Sequence, residues 1–427
     1  MNNKDQLDVK EIAMSIRDDL ANLQPLSDNC CIYRAPKRAQ KLHEKLYTPR
    51  VVSIGPLHHG KEELKAMEEH KRRYLFDFLQ LSNSSNGVSL ESYITCIEKN
   101  EGKVRNCYAE TIELESEKFV KMMLLDATFI IMLLVKHHVS QLQSSNDRIY
   151  RIHKKIYDIR HDIILLENLV PFFILEELFQ LSNIAGSVGG LSMIELTHRF
   201  FQGRWDSWVT KDILKENDFS QVKHFLDFLR ICQRPQRPKQ LKEIEKLMIP
   251  TATELYHAGV KFELHPSGNK LDIEFDNGIL KIPHFRIEKE VEILLRNLQT
   301  YEDCHCDPGD MHINDYIVLI GKLLKSGKDV EILDESGMIE NWMQNNEAAA
   351  TLFCNMDCTA DPENFYFSKV VDDLNSYEKS TWHKWIANLK QNYFNTPWAG
   401  ISVAAAVILL VLTLMQTVCS FLQLAKA

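Results

Sequence analysis

The sequence has no excess of basic residues, and this absence excludes one large class of function. Its 427 residues contain 50 Lys and Arg against 59 Asp and Glu, which gives a formal net charge of −9. Nucleic-acid-binding proteins present a clustered basic surface, whereas the basic residues here are interspersed with acidic ones. We therefore expect no nucleic-acid partner. The 45% hydrophobic content is sufficient for a sizeable core.

The N-terminus also lacks the uninterrupted apolar run of a secretory signal, because charged residues recur throughout residues 1–20. We therefore expect the chain to remain in a reducing compartment. The ten cysteines then indicate small buried hydrophobic side chains rather than disulfides.

Charged side chains are absent from residues 391–425. Within this stretch, residues 399–418 are long and apolar enough to cross about 30 Å of hydrocarbon as a helix. Tyr393, Phe394 and Trp398 carry the rings that settle at a membrane interface. The sequence therefore predicts a transmembrane helix over residues 397–422, followed by a short tail over 423–427. The alternative is a buried core helix.

The predicted span determines the expected location and one expected partner. Because few residues follow it, it would insert after synthesis as a tail anchor in the lipid bilayer. Lys384 and Lys390 precede the span closely, so the bulk of the chain is expected in the cytosol. We thus expect a single-pass protein of the plasma membrane or endoplasmic reticulum. Gly400 and Ala404, one helical turn apart, favour self-association through the span.

The rest of the chain is predicted to be mainly α-helical with a small antiparallel β meander over residues 260–283. Apolar residues alternate along this stretch, and Asn277 and Gly278 suit the positive φ angles of a two-residue turn. That turn pairs Phe275 with Leu280, and Glu274 with Lys281 on the opposite face.

The predicted organisation is a single globular domain. A weakly ordered leader covers residues 1–28, and the domain covers residues 29–392. The proline-containing stretch 233–239 is a hinge or only a loop.

The most distinctive motif outside the predicted span contains Gly55, Pro56, His58, His59 and Gly60. It resembles a phosphate-binding loop, but the last position of that loop must be Ser or Thr and is a glutamate here. The proline also removes a backbone N–H that such a loop would use. The two histidines suit a metal or a proton transfer, although no pattern of further ligands stands nearby. A hydrogen-bonded structural turn is favoured.

Asp126, Asp162 and Glu167 lie in strongly apolar segments and raise the hypothesis of a hydrolase with paired carboxylates. The alternative is that each is hydrogen-bonded to a helix end, an arginine or a histidine.

Cys304 and Cys306 with His312 are the best metal candidates. A structural zinc site needs a second ligand pair, which Cys354 and Cys358 supply only if the fold brings them close. We predict no metal and no cofactor.

The order of several phrases resembles the plant proteins grouped as domain of unknown function 247. The phrases are IYRAP at 32–36, YTPRVVSIGPLHHG at 47–60, MEEHKRRYL at 67–75, DIILLENLVPFFIL at 162–175, ATELYHAGVKF at 252–262, FDNGILKIP at 275–283 and YFNTPWAGIS at 393–402. One departure is Leu169, which replaces a polar residue. The resemblance implies a plant source, one family-wide domain, a C-terminal membrane helix and no assigned catalytic residue. Some relatives have been proposed as recognition determinants in grass self-incompatibility.

These observations favour a membrane-tethered, cytosol-facing recognition or scaffold protein without a catalytic site. An unidentified protein partner, in cell recognition or signalling, is expected to bind the polar loops at 82–87, 141–148 and 182–190, because surface loops usually carry binding residues. The competing hypothesis is a membrane-bound hydrolase that uses the buried carboxylates or a histidine-based metal site.

Overall fold

The computed structural model describes residues 9–21, 27–85, 87–203, 205, 208–235, 247–356, 360–379, 405 and 408–417. The helices are α1 (Val9–Ala21), α2 (Lys37–His43), α3 (Ala66–Ser85), α4 (Leu90–Arg105), α5 (Ser116–His138), α6 (His153–Asp162), α7 (Phe172–Ser182), α8 (Met193–Gln202), α9 (Ile213–Glu216), α10 (Phe225–Ile231), α11 (Ala252–His257), α12 (Lys289–His305), α13 (His312–Leu323), α14 (Gly327–Glu335), α15 (Asn346–Cys354) and α16 (Ser368–Lys379). The strands are β1 (Lys261–His265), β2 (Glu274–Asp276), β3 (Ile279–Pro283), β4 (Phe285–Ile287) and β5 (Ile339–Asn341).

Helix α5 is the centre of the N-terminal half. Its side chains are apolar on nearly every face, and they are buried from Met122 to Lys136. A helix that is hydrophobic all round must be enclosed by other elements. Helices α3, α4, α7 and α8 pack around α5 and enclose it.

One hydrophobic cluster joins this bundle to the C-terminal half. It contains buried side chains from Cys31 to Leu374, and includes α12, α13, α14 and α15 together with both sheets. The prediction of a mainly helical fold with little β structure is confirmed.

The small sheet differs from the predicted antiparallel meander. Strands β2 and β3 form the expected hairpin, with Glu274 opposite Lys281 and Phe275 opposite Leu280. Asn277 and Gly278 have φ angles of 49° and 79°. However, β1 pairs with β3 in parallel, so the strand order is β1-β3-β2.

The physical reason for this difference lies in the connection, residues 266–273. It is long enough to cross two inter-strand spacings, about 9.6 Å, and this leaves room for β3 between β1 and β2. Leu271 and Ile273, predicted as strand residues, are instead buried in the connection. Strands β4 and β5 form a second, parallel pair that sequence analysis did not predict.

The prediction of a C-terminal transmembrane helix is wrong. Over the ranges given above, no helix is both long enough and apolar enough to cross a bilayer. The prediction had rested on the length and apolar composition of residues 399–418 and on the aromatic residues that precede them.

The expectations that depended on this helix are corrected with it. They are the anchoring in a lipid bilayer, the tail-anchored single-pass topology, the localisation to a plasma or endoplasmic reticulum membrane, and self-association through the span. The predicted interface residues Tyr393, Phe394 and Trp398 lie outside the described residues, as do Gly400, Ala404 and residues 236–239 of the predicted hinge.

Candidate functional site

The segment from Arg50 to Gly60, which contains the Gly-Pro-Leu-His-His motif, runs through the protein without forming a helix or a strand. It is nevertheless largely buried from Val52 to Gly55. Buried backbone N–H groups need hydrogen-bond partners, and no strand or helix ladder supplies them here. Side chains from distant parts of the sequence supply them instead. We call residues 50–60 the buried segment.

Asp162, the last residue of α6, binds the beginning of the buried segment. Its Oδ1 accepts a hydrogen bond from the N–H of Arg50 at 2.8 Å, and its Oδ2 accepts from the N–H groups of Val51 and Val52 at 2.7 and 2.8 Å. Burial raises the pKa of Asp162 to about 6, and the three N–H donors act against this rise. The carboxylate therefore fixes three consecutive residues.

Asn168 continues the same pattern in the middle of the segment. Its Oδ1 accepts a hydrogen bond from the N–H of Ile54 at 2.7 Å, while its Nδ2 donates to the carbonyl groups of Val52 and Asp162, both at 2.9 Å. An asparagine suits this position because it both donates and accepts.

Asp126 binds the segment from the central helix α5. Its Oδ2 accepts a hydrogen bond from the N–H of Gly55 at 2.8 Å, and its Oδ1 lies 2.6 Å from Nζ of the fully buried Lys71. The same Nζ lies 2.6 Å from Oε1 of Glu68. Burial raises the pKa of Asp126, although Lys71 opposes the rise. The lysine thus compensates a carboxylate that would be costly to bury alone.

Glu167 binds the end of the segment and the IYRAP phrase together. Its Oε1 accepts from the N–H of Ala35 at 3.0 Å and from Nε2 of Gln40 at 2.6 Å; its Oε2 accepts from Nη1 of Arg34 at 3.1 Å. Nε2 of His58 lies 3.3 Å from the same Oε2. Burial tends to raise the pKa of Glu167, but His58, Gln40 and the N–H of Ala35 outweigh it and lower the pKa.

The two adjacent histidines lie in different environments. His58 is buried against Glu167, whereas His59 is exposed. They therefore do not form a joint metal or proton-transfer site. The segment is also unsuited to phosphate, because the N–H groups of Ile54 and Gly55 already bind side chains.

Gly55 is required by the close packing of the segment. It has a φ of +72°, and a Cβ at this position would lie 2.5 Å from the carbonyl oxygen of Leu169. That same oxygen accepts a hydrogen bond from the hydroxyl of Tyr108 at 3.0 Å. No side chain fits between these groups. Gly60 also has a positive φ, but open space surrounds it.

The three predicted acids thus bind one segment without pairing with one another. Asp126, Asp162, Glu167 and His58 are each at most 2% exposed, so a substrate in solution does not reach them. The arrangement holds a backbone in place rather than positioning an acid and a base around a substrate.

Sequence analysis missed the other members of this network. Lys71 and Asn168 were not singled out, nor were Arg34 and Gln40. Arg34, Lys71 and Asn168 lie inside the phrases that carry the family resemblance, whereas Gln40 does not. Those phrases were the signal that could have pointed to the three residues.

The cysteine and histidine candidates are not assembled for metal binding. In the part of the chain that the structure describes, no group of three or more His, Cys, Asp or Glu side chains is arranged to hold a metal ion. The ring of His312 packs against the ring of Tyr366, with 5.4 Å between the centroids. Cys354 is exposed, and Cys358 lies outside the described residues.

An apolar groove of about 610 Å³ opens on the surface between α3, α4 and α5. Charged side chains stand at its edge: Arg72, Glu98, Glu117 and Lys121. Its apolar lining is formed by Leu75, Leu90, Ile94, Val120, Leu124 and Leu125. Leu90 and Ile94 remain 38% and 39% exposed, so the groove is open to a partner.

Comparison with known proteins identifies the family. A family model described as a plant protein of unknown function, DUF247, matches residues 32–412. The chain belongs to this family. The resemblance read from the sequence is thereby confirmed.

Two curated relatives come from Arabidopsis thaliana. The UPF0481 protein At3g47200 is 27% identical over 425 residues, which cover 93% of this chain and 87% of the relative. A second UPF0481 protein, At3g02645, is 24% identical over 479 residues, covering 90% and 89%. No solved structure matches the chain.

We predict that Gly55→Ala destabilises the protein far more than Gly60→Ala. Both substitutions place a side chain at positive φ, which costs about 1–2 kcal/mol. Gly55→Ala additionally forces the backbone of Leu169 to move, for a total of about 2–5 kcal/mol. Urea unfolding of the two variants measures the difference. Equal losses would show that the close approach of Leu169 does not constrain the segment.

We predict that Asp162→Asn lowers the free energy of unfolding by about 2–4 kcal/mol. The amide nitrogen of Asn cannot accept a hydrogen bond, so at least one of the N–H groups of Arg50, Val51 and Val52 loses its buried partner. The matched control is Asp158→Asn on the same helix, where the side chain is 24% exposed and lies 4.0 Å from Arg50. That change is expected to cost at most about 0.5 kcal/mol. Chemical denaturation distinguishes the two outcomes, and a neutral Asp162→Asn would contradict the proposed role.

Proposed function

We propose that this member of the plant DUF247 family is a non-catalytic recognition protein that binds an amphipathic helix of a protein partner in the groove between α3, α4 and α5. The observation that carries the proposal is the groove itself, an open apolar surface with a charged edge. Proteins that recognise amphipathic helices use grooves of this kind, where apolar side chains spaced by three and four residues enter the apolar lining.

The shape of the groove supports a helical partner. Its α5 wall runs from Ser116 to Leu125, about 13 Å, which corresponds to two to three turns of helix. The edge carries Arg72 and Lys121 as well as Glu98 and Glu117. Charges of both signs suit a partner helix whose polar flanks also carry both signs.

The buried network gives little support to the hydrolase alternative. Asp126, Asp162 and Glu167 already accept hydrogen bonds from the backbone of the chain. Removing these carboxylates is expected to weaken the fold. A substitution that disrupts the groove but leaves the protein stable is expected to cause the loss of partner binding.

The polar loops remain a second prediction for partner contacts, although the bounds of the loops in the structure differ from the predicted bounds. Ser82 lies within α3, is fully buried and donates a hydrogen bond to the carbonyl oxygen of Ser182 at 3.2 Å. Asp147 in the second loop is buried against Lys136 at 2.9 Å. These two side chains hold the loops in place, and the exposed residues around them are the ones left for contacts.

A selection from displayed helical peptides tests the groove. We expect peptides selected on the purified chain to share apolar residues at i, i+3, i+4 and i+7, and we expect Ile94→Glu to reduce their affinity at least tenfold. The control is Phe76→Glu, because Phe76 is 61% exposed on α3 and does not line the groove. Fluorescence anisotropy gives the affinities.

Two results would contradict the proposal. One is that the selected peptides lack an apolar stripe. The other is that Ile94→Glu and Phe76→Glu weaken binding equally, which would place the recognition surface elsewhere.

A further inference from the structure

Helix α1 exposes an apolar stripe to solvent. Val9, Ile12, Ile16 and Leu20 follow one another at spacings of three, four and four residues, so they lie along one face of the helix. Their exposed fractions are 74%, 41%, 51% and 61%. The opposite side carries polar residues such as Asp18. This is the pattern of a helix that binds an apolar groove.

A helix of this length is marginally stable in water when nothing packs against it. The stripe from Val9 to Leu20 is about 16 Å long, and the α5 wall of the groove, from Ser116 to Leu125, is about 13 Å long. The dimensions and the chemistry of the two surfaces therefore match.

The connection to the core brings α1 within reach of the groove. The N–H of Cys31 donates to the carbonyl oxygen of Cys107 at 2.9 Å, just beyond the end of α4. From that end, Glu98 and Leu90 in the groove lie about 10 and 22 Å back along the helix. Residues 27–30 form a turn, in which the N–H of Cys30 donates to the carbonyl oxygen of Ser27 at 3.1 Å. The stretch from residue 21 to residue 27 extends to about 20 Å at most, which is enough to bring α1 to the end of the groove near Glu98.

We infer that α1 docks into the groove of its own chain and competes there with helical partners. This inference rests on the proposed function of the groove. In the conformation described here, α1 is undocked and its stripe is exposed. A short connection gives an attached helix an effective concentration on the millimolar scale, so α1 competes even if its intrinsic affinity is low.

A labelled peptide with the sequence of Val9–Ala21 tests this in the full-length chain. We expect the Ile16→Glu chain to bind the peptide at least tenfold more tightly than the wild-type chain, because its own helix no longer covers the groove. Met14→Glu is the matched control, since Met14 is 63% exposed and lies outside the stripe. It should retain wild-type affinity. Adding Ile94→Glu to the Ile16→Glu chain should abolish binding.

The outcomes separate this inference from the proposed function. Equal peptide affinity for the wild-type and Ile16→Glu chains overturns the docking of α1. The docking of α1 is also overturned if the Val9–Ala21 peptide fails to bind while selected helical peptides bind at Ile94. In both of these cases the groove remains a recognition site. If neither kind of peptide depends on Ile94, both proposals fall.

Sedimentation of the same variants addresses a second copy as the occupant. A wild-type dimer that dissociates on Ile16→Glu would show that α1 docks into a partner copy, which overturns docking within one chain. Circular dichroism and urea unfolding confirm that the variants are folded, as expected for substitutions at exposed positions.

Discussion

The burial of an irregular backbone segment is the constraint on which the rest of this structure depends. Residues 50–60 cross the interior without a helix or a strand, so their N–H groups need partners that regular structure does not provide. Asp162, Asn168 and Asp126 supply these partners in sequence, at Arg50 to Val52, at Ile54 and at Gly55. Asp162 and Asn168 come from the end of α6 and the turn after it, whereas Asp126 comes from α5. The segment therefore ties α5, α6 and the turn after α6 into one unit.

This constraint also explains why acidic side chains lie buried in strongly apolar segments of the chain. A buried carboxylate is unfavourable unless it is paired and hydrogen-bonded. Here Lys71 compensates Asp126, and Arg34 and His58 flank Glu167. With those groups committed to the interior, two apolar features stand out at the described surface: the groove between α3, α4 and α5, and the stripe on α1.

The parts of the fold that depend on local pattern could be predicted, whereas those that depend on distant pairing could not. The mainly helical content was predicted, and Asn277-Gly278 indicated the correct hairpin register. Pairing of β1 with β3, and of β4 with β5, depends on how long connections fold, which periodicity does not encode. For the acids, the sequence left two alternatives open, because the partners of Glu167 lie more than 100 residues away. The predicted span is not borne out, because no helix among the described residues is both long and apolar enough to cross a bilayer.

Native-state hydrogen exchange at the amides of Val51, Val52, Ile54 and Gly55 tests the central claim most directly. If buried carboxylate and amide oxygens hold these N–H groups, the N–H groups exchange only through global unfolding, as slowly as the central amides of α5. In Asp162→Asn, protection falls at Val51 and Val52 beyond the global loss of stability, and Gly55 follows only the global loss. Rapid exchange of all four amides in the wild-type protein, at the rate of an open loop, would contradict the account.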